Sequence, residues 1–316
     1  MAASKEDFDA VDFHILDVGQ GDCTLFIDRS KNIALIVDCP ARMQAVVTRS
    51  LHDLGNPRVN GIIISHWDLD HYGGALDLAA ATQCEVVYYN RETMMAFPID
   101  RTVRRAALLR LVEEPFASSI RHVAAHQGTG GTLGNFEWKL LAPSQLHLTE
   151  AVAKFDRNLA STVLRGVAHG SSVVVGGDAD GRVWQRLLDE GVDLNASVFR
   201  WPHHGSPLKG SHALTPSILL DAVNPKYVAI SVGTKNRYSH PDSATIAVIS
   251  SRTTMACTEV TERCHNAVGK KSDHPCGGTL SFTITSDGQI HPRRGWVGHS
   301  SVVDGWDSPM CRGQSV

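Results

Sequence analysis

The sequence predicts an α/β protein in which two mixed β-sheets are flanked by helices. Short apolar runs, typical of buried strands, are mixed along the chain with segments whose apolar residues recur at helical spacing. Several runs end on Asp or His beside glycine, and such a turn can aim polar side chains at one point beyond the strand. We predict one domain over residues 8–295 and a flexible tail over residues 296–316, where Gly, Ser and Asp are frequent.

The predicted elements of the first third follow from alternation, spacing and turn residues. Apolar runs bounded by turn residues predict strands at residues 13–18, 23–27, 33–37, 62–64 and 86–89. Helical spacing predicts helices over residues 42–54, where Gly55 follows as a stop signal, and over residues 75–80. The first strand leads through a turn into a hairpin.

The rest of the chain shows the same mixture. Apolar runs predict strands at residues 138–141, 161–164, 172–175, 197–201, 227–232 and 280–284. Helical spacing predicts helices at residues 101–112, 183–188, 216–222 and 243–250. The glycine-rich stretch 128–134 lacks the lysine of a phosphate-binding loop, so we expect a flexible loop without a catalytic role.

Composition limits the class of protein and its partners. Apolar residues make up 42% and charged residues 20% of the chain, as in ordinary soluble proteins. The net charge of −3 gives no bulk attraction to nucleic acid. No signal peptide opens the chain and no run approaches the ~20 apolar residues of a membrane span, so we expect a cytoplasmic protein without membrane contact. Seven cysteines, an odd count, argue against a disulfide framework.

The densest cluster of ligand-type side chains is the segment His66-Trp67-Asp68-Leu69-Asp70-His71 after a predicted strand, where four of six side chains can bind a metal ion. Other predicted strands end at Asp38, at Asp178 and at His203-His204. A single acid at a strand end is usually a cap or a turn former, and a lone histidine pair is more often structural. Few structural roles need four such side chains in six residues, so this segment predicts a metal site.

These segments resemble the metallo-β-lactamase fold superfamily. Within it, the chain is similar to the soluble hydrolase domain of ComEC-type DNA-uptake proteins and their stand-alone relatives. The matching segments are residues 16–22, 65–74, 158–161, 176–178, 203–206, 230–233 and 236–241. The resemblance implies an αββα sandwich with metal ions at the strand ends.

For the first of two divalent ions, the resemblance implies His66 and Asp68 as ligands and Asp178 as the bridge to the second ion. Asp68 stands where most of the superfamily has histidine, and the ComEC-like branch shares this aspartate. The ligand histidine usual before Asp178 is missing, and Asn158 and Ser161 occupy that region. Oxygen-rich sites suit Mn²⁺, whereas imidazole-rich sites usually take Zn²⁺. We expect two ions, Zn²⁺ or Mn²⁺, with the first weakly held.

For the second ion, the resemblance implies Asp70 and His71 as ligands, with His204 or His203 completing the set. Asp38 stands where the family has an acid that orients the site from behind the ligands. Asp70 and Asp178 are therefore catalytic candidates, with Asp38 as their support.

Other residues are candidates for contact with substrate. His240 can protonate a leaving oxygen or hold a phosphate, or it is a loop histidine that packs beside Pro241. Lys235 and Asn236 lie in the same segment. Arg101, Arg104 and Arg105 share a face of the predicted helix 101–112 and can track a phosphate backbone, or they form an ordinary solvated face.

A second metal centre is predicted near the end of the domain. Cys257, Cys264, His274 and Cys276 can form a closed tetrahedral zinc site, although their spacing is not that of a common zinc finger. The alternative is a loop with reduced thiols.

The leading hypothesis is a metal-dependent phosphodiesterase, most of all a nuclease acting on DNA, because two divalent ions can clamp an in-line displacement at phosphorus. A second hypothesis is a small-molecule phosphodiesterase or esterase with a phosphocholine- or cyclic-nucleotide-type substrate. A third is a non-catalytic module of a larger complex with an unidentified protein partner.

Overall fold

Two β-sheets form the centre of the molecule. The computed structural model describes residues 8–97, 120–264 and 276–293, and positions 295, 296, 299, 303 and 309–312. Among these residues, eight strands form the first sheet in the order β15-β14-β1-β2-β3-β4-β5-β6. Their bounds are β1 Val11–Ile15, β2 Thr24–Asp28, β3 Ile33–Val37, β4 Arg58–Ile63, β5 Val86–Tyr89, β6 Arg121–Ala124, β14 Leu280–Ile284 and β15 Ile290–Pro292.

The second sheet has the order β13-β12-β11-β10-β9-β8-β7 among the described residues. Its strands are β7 Gly130–Leu133, β8 Phe136–Ala142, β9 Val163–Ala168, β10 Ser171–Val175, β11 Val198–Arg200, β12 Tyr227–Ile230 and β13 Thr254–Cys257. Both sheets contain parallel and antiparallel pairs, so the predicted mixed sheets are confirmed.

Helices cover the outer faces of the sheets. They are α1 Gln44–Asp53, α2 Leu69–Tyr72, α3 Ala75–Thr82, α4 Arg91–Ala96, α5 Gln145–Lys154, α6 Gly181–Asp189, α7 Pro216–Val223 and α8 Ser243–Ser250. Within the described ranges, no helix has the length and apolarity needed to cross a bilayer. The αββα sandwich expected from the resemblance is confirmed.

Aromatic side chains fill the space between the sheets. On the first sheet, Phe13 stacks on Phe26 and Phe282 with ring centroids 5.0 and 5.9 Å apart. Phe26 in turn stacks on Phe136 of the second sheet at 4.5 Å. These rings are almost fully buried, and burial of large apolar side chains is the main stabilising contribution to such a core.

Parallel pairing brings the predicted ligand segments to one edge. Strands β3 and β4 are parallel, as are β10 and β11. Their carboxyl ends lead directly into Asp38, His66, Asp178 and His203. Crevices beyond the carboxyl ends of parallel strands are common ligand sites in α/β proteins.

The structure corrects two sequence-based expectations. The stretch 128–134 is not a flexible loop throughout, since β7 pairs with β8 along residues 130–133. Glycine has no side chain from which a strand can be predicted, but hydrogen bonds between the backbones of β7 and β8 still form the strand. Strand β9 begins at Val163, after a 3-10 helix Arg157–Ala160, whereas the sequence predicted a strand from residue 161. The predicted helix 101–112 lies outside the described residues.

Several described residues of the predicted flexible tail are packed against the sheets. Trp296 is 8% exposed, and its ring lies 5.0 Å from Phe282 and 5.4 Å from Tyr227. Val303 is buried, and the 3-10 helix Met310–Arg312 packs on α8. Gly, Ser and Asp are frequent in the segment and no regular apolar spacing is present, so the sequence suggests a loose tail.

The packing of Trp296 gives a stability prediction. We expect Trp296→Ala to lower the free energy of unfolding by ~3–5 kcal/mol, because a large buried ring is replaced by a cavity. Urea denaturation followed by circular dichroism measures this change. Phe155→Ala is the control, since Phe155 is 73% exposed and its loss should cost about 0.5 kcal/mol or less. Equal stability of both variants and the wild type would show that the segment is loose.

A buried histidine on β1 makes stability depend on pH. His14 Nδ1 lies 2.8 Å from Ser281 Oγ, and burial lowers the pKa of His14 to about 4. The unfolded chain binds a proton at this histidine below about pH 6.5, whereas the folded protein does so only near pH 4. The folded state therefore loses stability as the pH falls from about 6.5 towards 4. Between about pH 7 and about pH 4.5, we expect the wild type to lose ~2 kcal/mol more than His14→Gln in urea denaturation. Identical losses in the two proteins would refute this assignment.

Candidate metal centre

Four acidic and imidazole side chains meet at the carboxyl edge of the sheets. Ligand atoms of Asp22, His71, Asp178 and His204 all lie within 4.8 Å of one another, and all four residues are buried. His71, Asp178 and His204 were predicted from the sequence, and Asp22 was not. The loops that bring them together follow β1, β4, β10 and β11.

Unusual backbone conformations aim these side chains. His204 and its neighbour His203 have positive φ angles of 52° and 50°, and Asp38 has a φ of 64°. Gly74 must be glycine because a Cβ atom there would lie 2.4 Å from the carbonyl oxygen of Pro40. This close approach fixes the short helix α2, which carries Asp70 and His71, against the loop after β3.

The ligands expected for the second ion face each other. His71 Nε2 lies 3.2 Å from Asp178 Oδ1. His204 Nε2 lies 3.6 Å from Asp70 Oδ2 and 3.8 Å from Asp178 Oδ2. The other ring nitrogen of His204 donates to the carbonyl oxygen of Ser231 at 2.9 Å, which leaves Nε2 as the atom that can bind a cation.

Buried polar atoms without hydrogen-bonding partners show that this group fits a metal ion. Within the described part of the chain, they include Nε2 of His66, His71 and His204 and Oδ1 of Asp178. Burial would raise the pKa of Asp178, but the imidazoles of His71, His204 and His203 hold this pKa well below its usual range. Buried groups of this kind are costly unless they are paired or coordinate a cation.

Asp38 supports the site from behind. Its Oδ1 accepts a hydrogen bond from the Ser65 amide at 2.7 Å, and its Oδ2 accepts one from the Ser65 hydroxyl at 2.6 Å. The same Oδ2 lies 2.8 Å from His71 Nδ1. This contact fixes the His71 ring with Nε2 towards Asp178, as the orienting carboxylate of a metal-bound histidine does.

Asp22 is the residue that sequence reasoning missed. It lies at the end of the matching segment 16–22, between the first two predicted strands. Its carboxylate forms an ion pair with the fully buried Arg200, and its amide donates to the Asp70 carbonyl oxygen at 3.0 Å. Arg200 also donates to the Gly177 carbonyl oxygen at 2.5 Å. Asp22 and Arg200 therefore join the loops that carry Asp70 and Asp178.

The ligands expected for the first ion are arranged less tightly. His66 Nε2 lies 3.3 Å from Asp68 Oδ2 and 3.9 Å from Asp178 Oδ2. Asp68 Oδ1 is engaged by Arg157 Nη1 at 3.1 Å. In the region of the missing histidine, Ser161 Oγ accepts the Asp178 amide at 2.8 Å.

His203 lies beside this first position. Its Nε2 is 3.7 Å from Asp178 Oδ2, and its Nδ1 is 3.4 Å from Asn158 Nδ2. The side chain is 29% exposed, whereas that of His204 is 2% exposed. The two neighbouring histidines thus reach Asp178 from different depths.

His240 lies at the mouth of the site. Its ring centroid is 5.6 Å from that of His203 and 6.4 Å from that of His204. Burial and these two imidazoles lower the pKa of His240 to about 4. Asn236 holds this loop in place, because its side chain bonds the His240 amide at 2.6 Å and the carbonyl oxygens of Gly233 and His240. Asn236 is therefore used by the loop itself, and Lys235 is exposed.

Other predicted site residues lie elsewhere. Arg101, Arg104 and Arg105 fall outside the described residues, as does His274. Cys257, Cys264 and Cys276 are buried at and beyond the end of β13, and none of them belongs to the Asp/His group.

Comparisons with known proteins agree with this geometry. The family described as the metallo-beta-lactamase superfamily matches residues 16–218. Competence protein ComA of Neisseria gonorrhoeae is 26% identical over 231 residues, which cover 73% of this chain and 28% of that protein. ComE operon protein 3 of Bacillus subtilis (strain 168) is 27% identical over 238 residues, with the same two shares. The chain thus spans little more than a quarter of the length of these relatives.

A solved structure supports the fold. The CmlA beta-hydroxylase E377D mutant is similar with a TM-score of 0.51 at 14% identity, over 81% of this chain and 53% of that one. The family match extends over more than half of the chain and includes the segments of Asp38, His66–His71, Asp178 and His204. The resemblance predicted from the sequence is confirmed, and the chain belongs to the metallo-β-lactamase superfamily.

Proposed function

We propose that this protein is a metal-dependent phosphodiesterase, and specifically a nuclease that cleaves DNA. The observation that carries the proposal is the convergence of buried, unpartnered nitrogen and oxygen atoms of His71, Asp178 and His204 at one point. A hydrolytic site of this superfamily needs such a group to hold a divalent ion.

The second position is the better prepared one. Asp70, His71, Asp178 and His204 would hold the ion there. When bound, a divalent cation acts as a Lewis acid and lowers the pKa of water to about 7. Asp38 keeps the His71 ring oriented, and the Asp22–Arg200 pair holds the loops of Asp70 and Asp178 in register. His240, whose ring lies beside that of His203, would contact the oxygen that leaves.

The first position is expected to bind its ion more weakly. Asp68 is paired with the Arg157 guanidinium, and a cation must compete with this positive charge. Asp68 and Asp178 supply oxygen ligands here and His66 supplies nitrogen, a mixture that Mn²⁺ accepts as well as Zn²⁺. We infer one tightly held ion and a second, exchangeable one.

Positive side chains at the mouth favour an anionic substrate. Arg157 beside Asp68 is 33% exposed. Arg237 is exposed and lies within electrostatic range of Asp70, and the exposed Lys209 lies within range of His240. These charges can hold a phosphate although the net charge of the chain is −3. The similarity to competence proteins, together with the resemblance to DNA-uptake proteins, supports DNA as the proposed substrate.

Cleavage of DNA tests the proposed function. We expect the protein with Mn²⁺ or Zn²⁺ to cleave linear, circular or single-stranded DNA. We expect Asp178→Asn to lose more activity than the ~10–100-fold that follows the loss of a residue that only orients a ligand. Gel assays with each metal measure this. Asp28→Asn is the matched control, because Asp28 is a buried, hydrogen-bonded acid at the opposite end of β2. Cleavage of a chromogenic bis-aryl phosphate without cleavage of DNA would favour a small phosphodiester substrate.

Loss of Asp38 tests the metal site independently of substrate. We expect Asp38→Ala to weaken metal affinity ~10–100-fold, because the His71 ring loses its orienting carboxylate. Competition with a fluorescent chelator measures the affinity, and circular dichroism confirms folding. Asp28→Asn should keep the wild-type affinity. An unchanged affinity in Asp38→Ala would contradict the role given to Asp38.

A further inference from the structure

We propose that Cys257, Cys264, Cys276 and Cys311 form a structural zinc site that fastens the C-terminal segment to the edge of the second sheet. This site is separate from the Asp/His centre and does not depend on the proposed function. It extends the zinc site predicted from the sequence, because Cys311 takes the place given there to His274.

Four separate segments bring these cysteines together. Cys257 ends β13, Cys264 lies in the loop that follows, Cys276 precedes β14, and Cys311 lies in the 3-10 helix Met310–Arg312. The Cys276 amide donates to the Thr258 carbonyl oxygen at 3.0 Å, and the Gly277 amide donates to the Cys257 carbonyl oxygen at 3.0 Å. This ladder places the second segment directly beside the end of β13.

Three of the thiols are buried, and that of Cys311 is half-buried. Cys264 and Cys276 share a small buried cluster with Val260. Cys257 belongs to the buried apolar cluster that includes α8 residues Ile246 and Ile249, and Cys311 packs against this cluster. Burial raises the pKa of each of the four thiols. A thiolate at Cys264 would raise the pKa of Cys257, Cys276 and Cys311 further. Cys264 is thus near enough to each of Cys257, Cys276 and Cys311 for their charges to interact.

A buried histidine completes the arrangement. His299 Nδ1 lies 3.2 Å from Cys276 Sγ, and both residues are buried. With zinc bound, the cysteine is a thiolate, and the His299 N–H can donate a hydrogen bond to it. Such partners orient and stabilise the ligands of zinc sites.

Zinc explains why these thiols are together. Tetrahedral sites of four cysteines are a common structural form of zinc, and the bound ion stabilises thiolates that burial alone disfavours. Among the described residues, the group with ligand atoms within 4.8 Å of one another is the Asp/His centre. The four sulfurs must therefore rotate inward to reach Zn–S distances of ~2.3 Å. Cys264 and Cys276 lie outside the strands and helices, so their positions are not fixed by a backbone ladder on both sides.

The consequence is a closed sheet edge. Strand β13 is the last strand of the second sheet in the described chain, and exposed edges invite pairing with other chains. A zinc ion held by Cys257, Cys276 and Cys311 would keep the segment before β14 and the C-terminal 3-10 helix on this edge. The packing of the 3-10 helix against α8 would then depend on the metal.

Zinc content in a background without the Asp/His centre tests the proposal. The full chain with Asp178→Asn and His204→Gln should retain one zinc per chain, and adding Cys276→Ser or Cys311→Ser should remove it. Cys84→Ser is the matched control, since Cys84 is a buried free thiol outside the cluster. Cobalt substitution of the same background should give a thiolate charge-transfer band that the Cys276 and Cys311 variants lose. No zinc and no such band in this background would overturn the proposal.

Wild-type protein supplies a measurement that does not depend on the folding of cysteine variants. A thiol-reactive mercurial should release a zinc ion that a chromogenic indicator detects. A chelator should make four thiols react faster with a disulfide reagent, whereas the buried Cys23, Cys39 and Cys84 should keep their slow rate. The site would be refuted if the chelator changed no thiol's reaction rate and the mercurial released no zinc. Recovery of these cysteines as disulfides in the freshly purified protein would also refute it.

Discussion

The burial of Asp178 among three imidazoles is the constraint on which the rest of the site depends. A carboxylate and several histidine nitrogens are removed from water, yet Nε2 of His71 and His204 and Oδ1 of Asp178 lack hydrogen-bonding partners in the described structure. Such burial is unfavourable unless a cation offsets it. The sheets, the strained loops and the supporting acids all serve to keep these atoms at one point.

Two buried networks hold that arrangement from opposite sides. Asp38 and Ser65 fix the His71 ring, which joins the end of β3 to the segment after β4. Asp22 and Arg200 join the loop after β1 to the end of β11, and Arg200 also bonds the Gly177 carbonyl oxygen beside Asp178. Because the first network lies within one sheet and the second joins the two sheets, the site depends on the packing of the two sheets and not on one local motif.

The two metal positions differ for a physical reason. The second position has imidazole and carboxylate atoms that converge without competing partners, whereas Asp68 at the first is already paired with Arg157. A fixed positive side chain near a metal position lowers the affinity for a second cation. The same side chain can contact an anion, so the proposed weaker metal binding and the proposed binding of a phosphate would have one common cause.

The sequence by itself determined the fold class and most of the candidate site. The strands carry their own apolar pattern, and His66, Asp68, Asp70 and His71 lie within six residues. Only the tertiary structure decided that Asp22 joins the centre and that Arg157 forms an ion pair with Asp68. It alone also decided that Trp296 and Cys311 pack against the apolar core. The reason is that these contacts join residues far apart in the chain. Their geometry follows from the packing of whole sheets, and no local pattern encodes it.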